Sequence, residues 1–100
     1  MLKIYTVCPQ GLGSSMIAKI HVQNILDSLD VDYDVETAGV ASIVGENFDL
    51  LITVEELRES LSNVDPQKIM IIKNFFKRDE IEEKLKQKLF EMQVIGSDQL

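Results

Sequence analysis

The sequence predicts a small, doubly wound α/β fold, in which a four-stranded parallel sheet has the order 2-1-3-4 and helices on both faces. Apolar runs of strand length alternate with helical patterns along the chain, which favours a parallel sheet. The second strand pattern alternates apolar with acidic residues, as is typical of a sheet edge. A glycine-rich turn joins the first strand to the first helix, where doubly wound sheets place their ligands. One hundred residues allow one core, so we predict a single domain over residues 1–100.

The first strand and the first helix have the clearest patterns. Residues 2–7 are mostly apolar or β-favouring and end before a proline and two glycines, which predicts a buried strand. From about Ser14 the pattern is helical, because apolar residues recur every three or four positions. The predicted buried stripe consists of Ala18, Val22, Ile25, Leu26 and Leu29. Ser14 or Ser15 suits the N-cap position of this helix.

The middle of the chain predicts an edge strand, a loop and a central strand. Residues 31–37 alternate apolar or β-favouring side chains with acidic ones, which predicts the edge strand. A short helix is expected over 42–45, within a loop of small residues. Residues 49–54 form a continuous apolar run of strand length, which is typical of a strand covered on both faces.

The second half of the chain predicts one more strand between two helices. A short helix is expected over 55–61, with acidic residues in its first turn. The apolar residues within 68–73 predict another central strand. The last helix is expected over 79–92, where two Glu–Lys pairs lie four residues apart; its buried stripe is Ile81, Leu85, Leu89 and Met92. Residues 94–100 are expected to form a loose tail.

The composition excludes several classes of function. The net charge of −7 argues against nucleic acid as a partner, because phosphate backbones are bound by basic surfaces. No apolar run approaches the ~20 residues of a membrane span. The single cysteine forms no internal disulfide and no multi-cysteine metal site. We therefore expect a cytoplasmic protein that needs no cofactor or metal and does not insert into the membrane.

The turn after the first strand reads Cys8-Pro9-Gln10-Gly11-Leu12-Gly13-Ser14-Ser15, with the only cysteine of the chain at the end of the strand. A glycine-rich turn that leads into a helix presents several backbone N–H groups to one point, and the helix dipole adds positive potential there. The same field favours a thiolate over a thiol. A nucleophile within a phosphate cradle predicts that Cys8 becomes phosphorylated.

Three known phosphate loops differ from this turn. A P-loop NTPase has a lysine after its last glycine, where this chain has Ser14. A dinucleotide fingerprint has a glycine or alanine where this chain has Met16. The cysteine phosphatase loop, Cys-x5-Arg, has its arginine where Ser14 stands. Without that arginine, backbone amides and serine hydroxyls still hold a phosphoryl group, but hydrolysis is expected to be slow, as a phosphoryl carrier requires. The predicted sheet is Rossmann-like, similar to that of the low-molecular-weight phosphatases.

At this point the sequence resembles a known family. Its turn, residues 8–15, is similar to the Cys-Gly-x-Gly-x-Gly-Ser-Ser pattern of IIB components of the bacterial phosphoenolpyruvate-dependent sugar phosphotransferase system (PTS), in the lactose/ascorbate-type group. The resemblance extends to Asp49-Leu50-Leu51-Ile52-Thr53, to Ile71-Ile72-Lys73-Asn74-Phe75 and to Glu80-Ile81-Glu82-Glu83-Lys84-Leu85, and is strongest to the ascorbate-specific IIB. Pro9 departs from the pattern, since glycine is common there, and it removes one N–H donor.

The resemblance implies a role for each residue of the turn. Cys8 would accept a phosphoryl group from a phosphohistidine on a IIA protein and pass it to a sugar held by the membrane transporter IIC, with an ascorbate-like sugar favoured. The activity implied is that of a phosphotransferase, and the chain would associate with the membrane through IIC. The phosphate-binding residues would be Gln10, Gly11, Leu12, Gly13, Ser14 and Ser15.

Other interpretations remain open. The chain could be a IIB-like regulatory domain whose phosphocysteine signals to a protein partner, or a cysteine phosphatase with altered loop residues. Cys8 could also be an ordinary buried thiol, and Gly11 and Gly13 could only shape a tight turn. His21 is interpreted as a surface or packing residue rather than a catalyst. Thr53 ends the third strand near the predicted site, where a neutral structural role is favoured over a phosphate contact.

Overall fold

Four parallel strands form one sheet, as the sequence predicts. The structure is a computed structural model that describes residues 1–7, 12–43 and 45–99. The strands are β1 (Leu2–Val7), β2 (Tyr33–Ala38), β3 (Leu50–Val54) and β4 (Ile69–Ile72), and they lie in the order β2-β1-β3-β4. All three neighbouring pairs are parallel, so the carboxyl-terminal ends of the strands share one edge of the sheet, called the carboxyl edge below. The predicted strand order is confirmed.

The α-helices among the described residues are α1 (Leu12–Ser28), α2 (Val40–Ile43) and α3 (Arg78–Glu91). The long helices α1 and α3 contact each other and cover one face of the sheet. Their buried stripes match the prediction, except that Met92 follows α3 and is only half-buried. These stripes join the sheet residues Leu2, Ile4, Val35, Leu50, Ile52, Met70 and Ile72 in the larger apolar core.

The other face of the sheet is covered by shorter segments. The helix predicted over 42–45 lies two residues earlier, as α2. The helix predicted over 55–61 is wrong in kind, because Glu55–Leu57 and Glu59–Leu61 are separate 3₁₀ turns with i to i+3 bonds at Arg58 and Ser62. These segments enclose a second, smaller core with Val7, Ile43, Leu51, Leu57 and Leu61.

The two outer strands have different surroundings. β2 begins at Tyr33, two residues later than predicted, and buries only Val35 completely. β4 lies at an edge of the sheet, as the predicted order 2-1-3-4 requires, although its apolar run alone predicts a central strand. Its apolar run reflects cover on two faces, not a second strand beside it. The Lys84 ammonium donates to the Ile71 carbonyl oxygen at 3.0 Å, and this contact occupies a backbone acceptor of β4.

The segment after α3 is not the loose tail that the sequence predicts. Gln93 has a φ of 63°, and the Val94 N–H donates to the Leu89 carbonyl at 2.8 Å, which reverses the chain as in a Schellman motif. Ile95 is then buried against the larger core. The turn therefore folds residues 93–95 back onto the domain, while Leu100 lies outside the described residues.

Glu80 fixes the connection between β4 and α3 at the carboxyl edge. Its carboxylate accepts hydrogen bonds from the backbone N–H groups of Lys73 at 2.8 Å and Asn74 at 3.3 Å, and it pairs with Lys84 at 3.1 Å. Burial disfavours the charged carboxylate, but the bonds from Lys73 and Lys84 outweigh it, so the pKa of Glu80 lies below its usual value. Glu80 thus contributes to stability while it is ionised.

Replacing Glu80 by glutamine is expected to lower the free energy of unfolding by about 1–2 kcal/mol at neutral pH, because the amide has one acceptor oxygen for two N–H groups and no charge to strengthen the bond that remains. A carboxylate with a lowered folded-state pKa stabilises above its unfolded pKa of about 4.3 and loses that effect as the pH falls through the folded value. The difference between Glu80→Gln and wild type should therefore shrink towards about pH 3. Urea unfolding at both pH values measures it.

Glu83→Gln is the matched control, since Glu83 is exposed on the same helix. Its effect is expected to stay within about 0.5 kcal/mol at neutral pH. An equal effect of the two substitutions would contradict a role for the Glu80 contacts.

Candidate functional site

The predicted site lies where the winding of the sheet reverses. From β1 the chain moves outward to β2, whereas β3 and β4 extend the sheet on the other side of β1. In doubly wound sheets, ligands bind at this reversal, beyond the carboxyl ends of the strands. Val7 ends β1 at the carboxyl edge, so the turn that follows it begins at the reversal. Cys8, Pro9, Gln10 and Gly11 lie outside the described residues, and their roles stay predictions.

The second half of the turn, residues 12–15, forms the start of α1. The helix begins at Leu12, and Gly13, Ser14 and Ser15 follow within it. The prediction that Ser14 or Ser15 caps the helix is therefore wrong. The first turn of an α-helix leaves N–H groups without intrahelical acceptors, and the helix dipole is positive there. The N-terminal end of α1 thus directly follows, in the chain, the segment that contains Cys8.

Ser15 connects α1 to the sheet. The residue is fully buried, and its carbonyl oxygen accepts a hydrogen bond from the hydroxyl of Thr6 at 3.0 Å. Thr6 lies in β1 and is itself fully buried. Ser15 therefore has a structural role at the helix–sheet contact, while its predicted role in phosphate binding stays a prediction.

Thr53 holds the other end of the turn. Its hydroxyl donates to the Val7 carbonyl oxygen at 2.8 Å, and both residues are fully buried. This structural role agrees with the interpretation of Thr53 that the sequence favours. Sequence reasoning did not assign Thr6 any role, since a single threonine in a strand gives no periodic signal. Together the two threonines fix Val7, which precedes the turn, and Ser15, which is its last residue.

His21 is not brought to the turn. It is half-buried in the middle of α1, nine residues after Leu12. At 1.5 Å per residue it lies about 14 Å along the helix axis from the first turn. The interpretation of His21 as a packing or surface residue is consistent with this position.

A cleft of about 440 Å³ lies away from the turn, beside the amino-terminal ends of β1, β3 and β4. Phe48, Leu61, Val64 and Lys68 contribute to its walls. Its place at the opposite edge of the sheet separates it from the candidate site. Within residues 1–7, 12–43 and 45–99, no group of three or more His, Cys, Asp or Glu side chains is arranged to hold a metal ion.

A match to a family model shows which protein family the chain belongs to. The family model described as "PTS system, Lactose/Cellobiose specific IIB subunit" matches residues 3–87, which is most of the chain and includes the predicted site. The chain belongs to this IIB family. IIB components take part in phosphoryl transfer during sugar transport and generally work with IIA and IIC components. The ascorbate-specific subtype is not confirmed by this comparison.

Solved structures place the IIB fold among those of small phosphatases. A protein tyrosine phosphatase from Entamoeba histolytica is 19% identical with a TM-score of 0.66, over 93% of this chain and 99% of that one. The lactose-specific IIB domain from Streptococcus pneumoniae is 14% identical with a TM-score of 0.58, over 93% and 95% of the two chains. The low-molecular-weight protein tyrosine phosphatase from Bacillus subtilis is 14% identical with a TM-score of 0.62, over 92% and 99%. These likenesses confirm the predicted fold.

A comparison with curated proteins found no match. Among the helices of the described residues, none combines the length and the apolar character that crossing a bilayer requires.

Proposed function

We propose that this chain is a phosphoryl carrier of a sugar phosphotransferase system, with Cys8 as the residue that becomes phosphorylated. The observation that supports this most is the IIB family match over residues 3–87, which includes the cysteine turn. The elements on either side of the turn support this proposal. β1 ends at Val7 and α1 begins at Leu12, where the winding of the sheet reverses and such folds bind their ligands.

The proposed reaction has two phosphoryl transfers. The Cys8 thiolate attacks the phosphorus of a phosphohistidine on IIA, the S–P bond forms as the N–P bond breaks, and the imidazole leaves. A sugar hydroxyl bound to IIC then attacks the same phosphorus, and the thiolate leaves as a base of the partner takes the hydroxyl proton. Catalysis on this chain consists of positioning and charge stabilisation. The groups proposed for it are those of Gln10, Gly11, Leu12, Gly13, Ser14 and Ser15.

Residue 14 favours a carrier over a phosphatase. A phosphatase of the Cys-x5-Arg type uses its arginine to bind phosphoryl oxygens in the transition state, and Ser14 supplies no such charge. Structural likeness to phosphatases concerns the fold alone, since the identities are 19% and 14%. Slow hydrolysis of phosphorylated Cys8 follows from this loop, and it preserves the group for transfer.

The proposed partners are a IIA protein as the phosphoryl donor and a membrane IIC transporter with its sugar. The proposed location is the cytoplasm, with association to the membrane through IIC only. The family description names lactose and cellobiose, whereas the turn suggested an ascorbate-like sugar. All three compounds therefore belong in the transfer assay.

The test is intact mass spectrometry after incubation with phosphoenolpyruvate, the general phosphotransfer proteins and a set of IIA proteins. Wild type is expected to gain one phosphoryl group that is labile to iodine, as a phosphocysteine is. Cys8→Ser is the matched control, since it changes one atom of the side chain and should gain no iodine-labile phosphoryl group. A Cys8→Ser protein that gains an iodine-labile phosphoryl group from IIA as wild type does would refute the assignment of Cys8.

Two other outcomes separate the alternatives. Continuous hydrolysis of an aryl phosphate that is lost in Cys8→Ala would favour a phosphatase over a carrier. Phosphorylation of Cys8 without any transfer to a sugar in the presence of IIC would favour a regulatory domain.

A further inference from the structure

The structure holds the cysteine turn at both ends through buried hydroxyl groups. Thr53 of β3 donates to the carbonyl of Val7 at the entry of the turn, at 2.8 Å. Thr6 of β1 donates to the carbonyl of Ser15, the last residue of the turn, at 3.0 Å. We propose that Thr53 and Thr6 are positioning residues for Cys8, setting the reactivity of its thiol; this inference rests on the function proposed above.

Thr53 acts where the pairing between β1 and β3 ends. The registered pairs of these strands run from Ile4 opposite Leu50 to Thr6 opposite Ile52. One residue further on, the contact is made by the side chain of Thr53 and the carbonyl of Val7. The hydroxyl therefore ties the last residue of β1 to the neighbouring strand, immediately before the nucleophile.

The bond to Val7 has a direct consequence for the next residue. The carbonyl oxygen of Val7 and the N–H of Cys8 belong to one planar peptide unit. Holding the oxygen fixes the plane, and with it the direction in which the Cys8 main chain leaves the strand.

The bond to Ser15 acts on the other component of the site. Ser15 is the fourth residue of α1, so Thr6 holds the first turn of this helix against β1. The N-terminal end of α1 lowers the pKa of a nearby thiol only while the helix keeps its position relative to the strand. Thr53 thus holds the end of β1, which precedes Cys8, and Thr6 holds the first turn of α1. The relative position of these two elements determines the reactivity of the thiol, and a shift of about 1 Å between reacting groups can cost about 100-fold in rate.

A purely structural role predicts a different pattern of effects. Any buried hydroxyl needs a partner, and losing one bond lowers stability wherever it lies. Loss of stability alone leaves the pH dependence of the thiol unchanged in the folded protein. The pH profile of cysteine alkylation therefore separates a positioning role from a structural one, and Cys8 is the only thiol in the chain.

The experiment compares Thr53→Val, which keeps the shape of the side chain, with Thr53→Ser, which keeps the hydroxyl. Iodoacetamide alkylation is followed by intact mass across pH on wild type and both variants, at a temperature where thermal scans show all of them folded. We expect Thr53→Val to move the midpoint of the profile to higher pH and to slow phosphoryl acceptance from IIA by about tenfold or more. Thr53→Ser should stay within about twofold of wild type.

Two further variants complete the design. Thr6→Val is expected to shift the alkylation profile in the same direction, and it tests the proposal if Thr53→Val does not fold. Ser28→Ala is the matched control, because the Ser28 hydroxyl donates to the Ile25 carbonyl at 2.7 Å at the far end of α1, and losing that bond should leave the profile unchanged. An unchanged midpoint in both Thr53→Val and Thr6→Val would overturn the proposal.

Alkylation needs no phosphoryl donor, so it tests the threonines independently of the transfer assay. A shifted profile with no phosphorylation of wild type by any IIA would support the positioning role and refute the carrier function. Normal phosphorylation of wild type, with unchanged alkylation profiles in both valine variants, would support the carrier function and refute the positioning role.

Discussion

Replacing Ile52 by alanine is expected to lower the free energy of unfolding by about 3–4 kcal/mol. Ile52 is fully buried in β3, between Thr6 of β1 and Met70 of β4, and it belongs to the core that α1 and α3 cover. Alanine would leave a cavity there, because packed helices on one side and paired strands on the other limit how far the site can collapse. Domains of this size have about 5–15 kcal/mol in total, so the loss is large.

Urea unfolding measures this effect, and Ile71→Ala is the matched control. Ile71 is half-buried on β4, at the edge of the sheet, and the same substitution there is expected to cost about 1 kcal/mol. The thermal midpoint of Ile52→Ala should fall by about 12–30 °C. Equal losses at the two positions would contradict the described difference between the centre and the edge of the sheet.

The fold could be predicted because its signals are periodic. The stripe of α1 and the apolar run of β3 each report which faces are covered, and the acidic alternation of β2 reports an edge. Taken alone, the same signal makes β4 a central strand, whereas the predicted order places it at the edge where it lies, because an apolar run records burial by helices and turns as well as by strands. β4 pairs with another strand on one side only, and Lys84 donates to the Ile71 carbonyl. Both features depend on the tertiary arrangement and not on the local sequence.

Local chain reversals were harder to predict. Glycine is a poor helix former, so the sequence predicts that the helix starts at about Ser14, whereas α1 begins at Leu12 and includes Gly13. The return of the chain after α3 depends on a non-glycine residue with positive φ, Gln93, and on one buried side chain, Ile95. Neither residue type marks such a turn in a sequence.

For the candidate site, the sequence predicts the residues of the motif but not the contacts that hold them in place. The cysteine, the glycines and the helix that follows are visible as a motif, but the hydroxyl contacts of Thr6 and Thr53 are not. Thr53 and Val7 are separated by 46 positions in the chain. Such contacts leave no pattern in a single sequence, since a threonine is equally ordinary in any strand.

Ser14→Arg is expected to shorten the lifetime of phosphorylated Cys8 by about tenfold or more. This substitution restores the Cys-x5-Arg spacing from Cys8, and residue 14 lies in the first turn of α1. A guanidinium forms two parallel bonds to phosphoryl oxygens and stabilises the charge that develops when water attacks. The prediction rests on the proposed carrier function, in which the missing arginine is what keeps the phosphoryl group available for transfer.

The measurement uses protein phosphorylated by IIA, separated from the donor and followed by intact mass over time. Ser14→Lys is the matched control, because lysine brings the same charge to the start of α1 without the planar fork. Both substitutions place a cation at a helix N-terminus and should lower stability similarly, by about 0.3–1 kcal/mol. A difference in hydrolysis between them therefore reports binding geometry and not charge or stability. Faster hydrolysis in Ser14→Arg than in Ser14→Lys would mean that a carrier and a phosphatase of this fold differ chiefly by one side chain, whereas equal rates would mean that residue 14 does not reach the phosphoryl group.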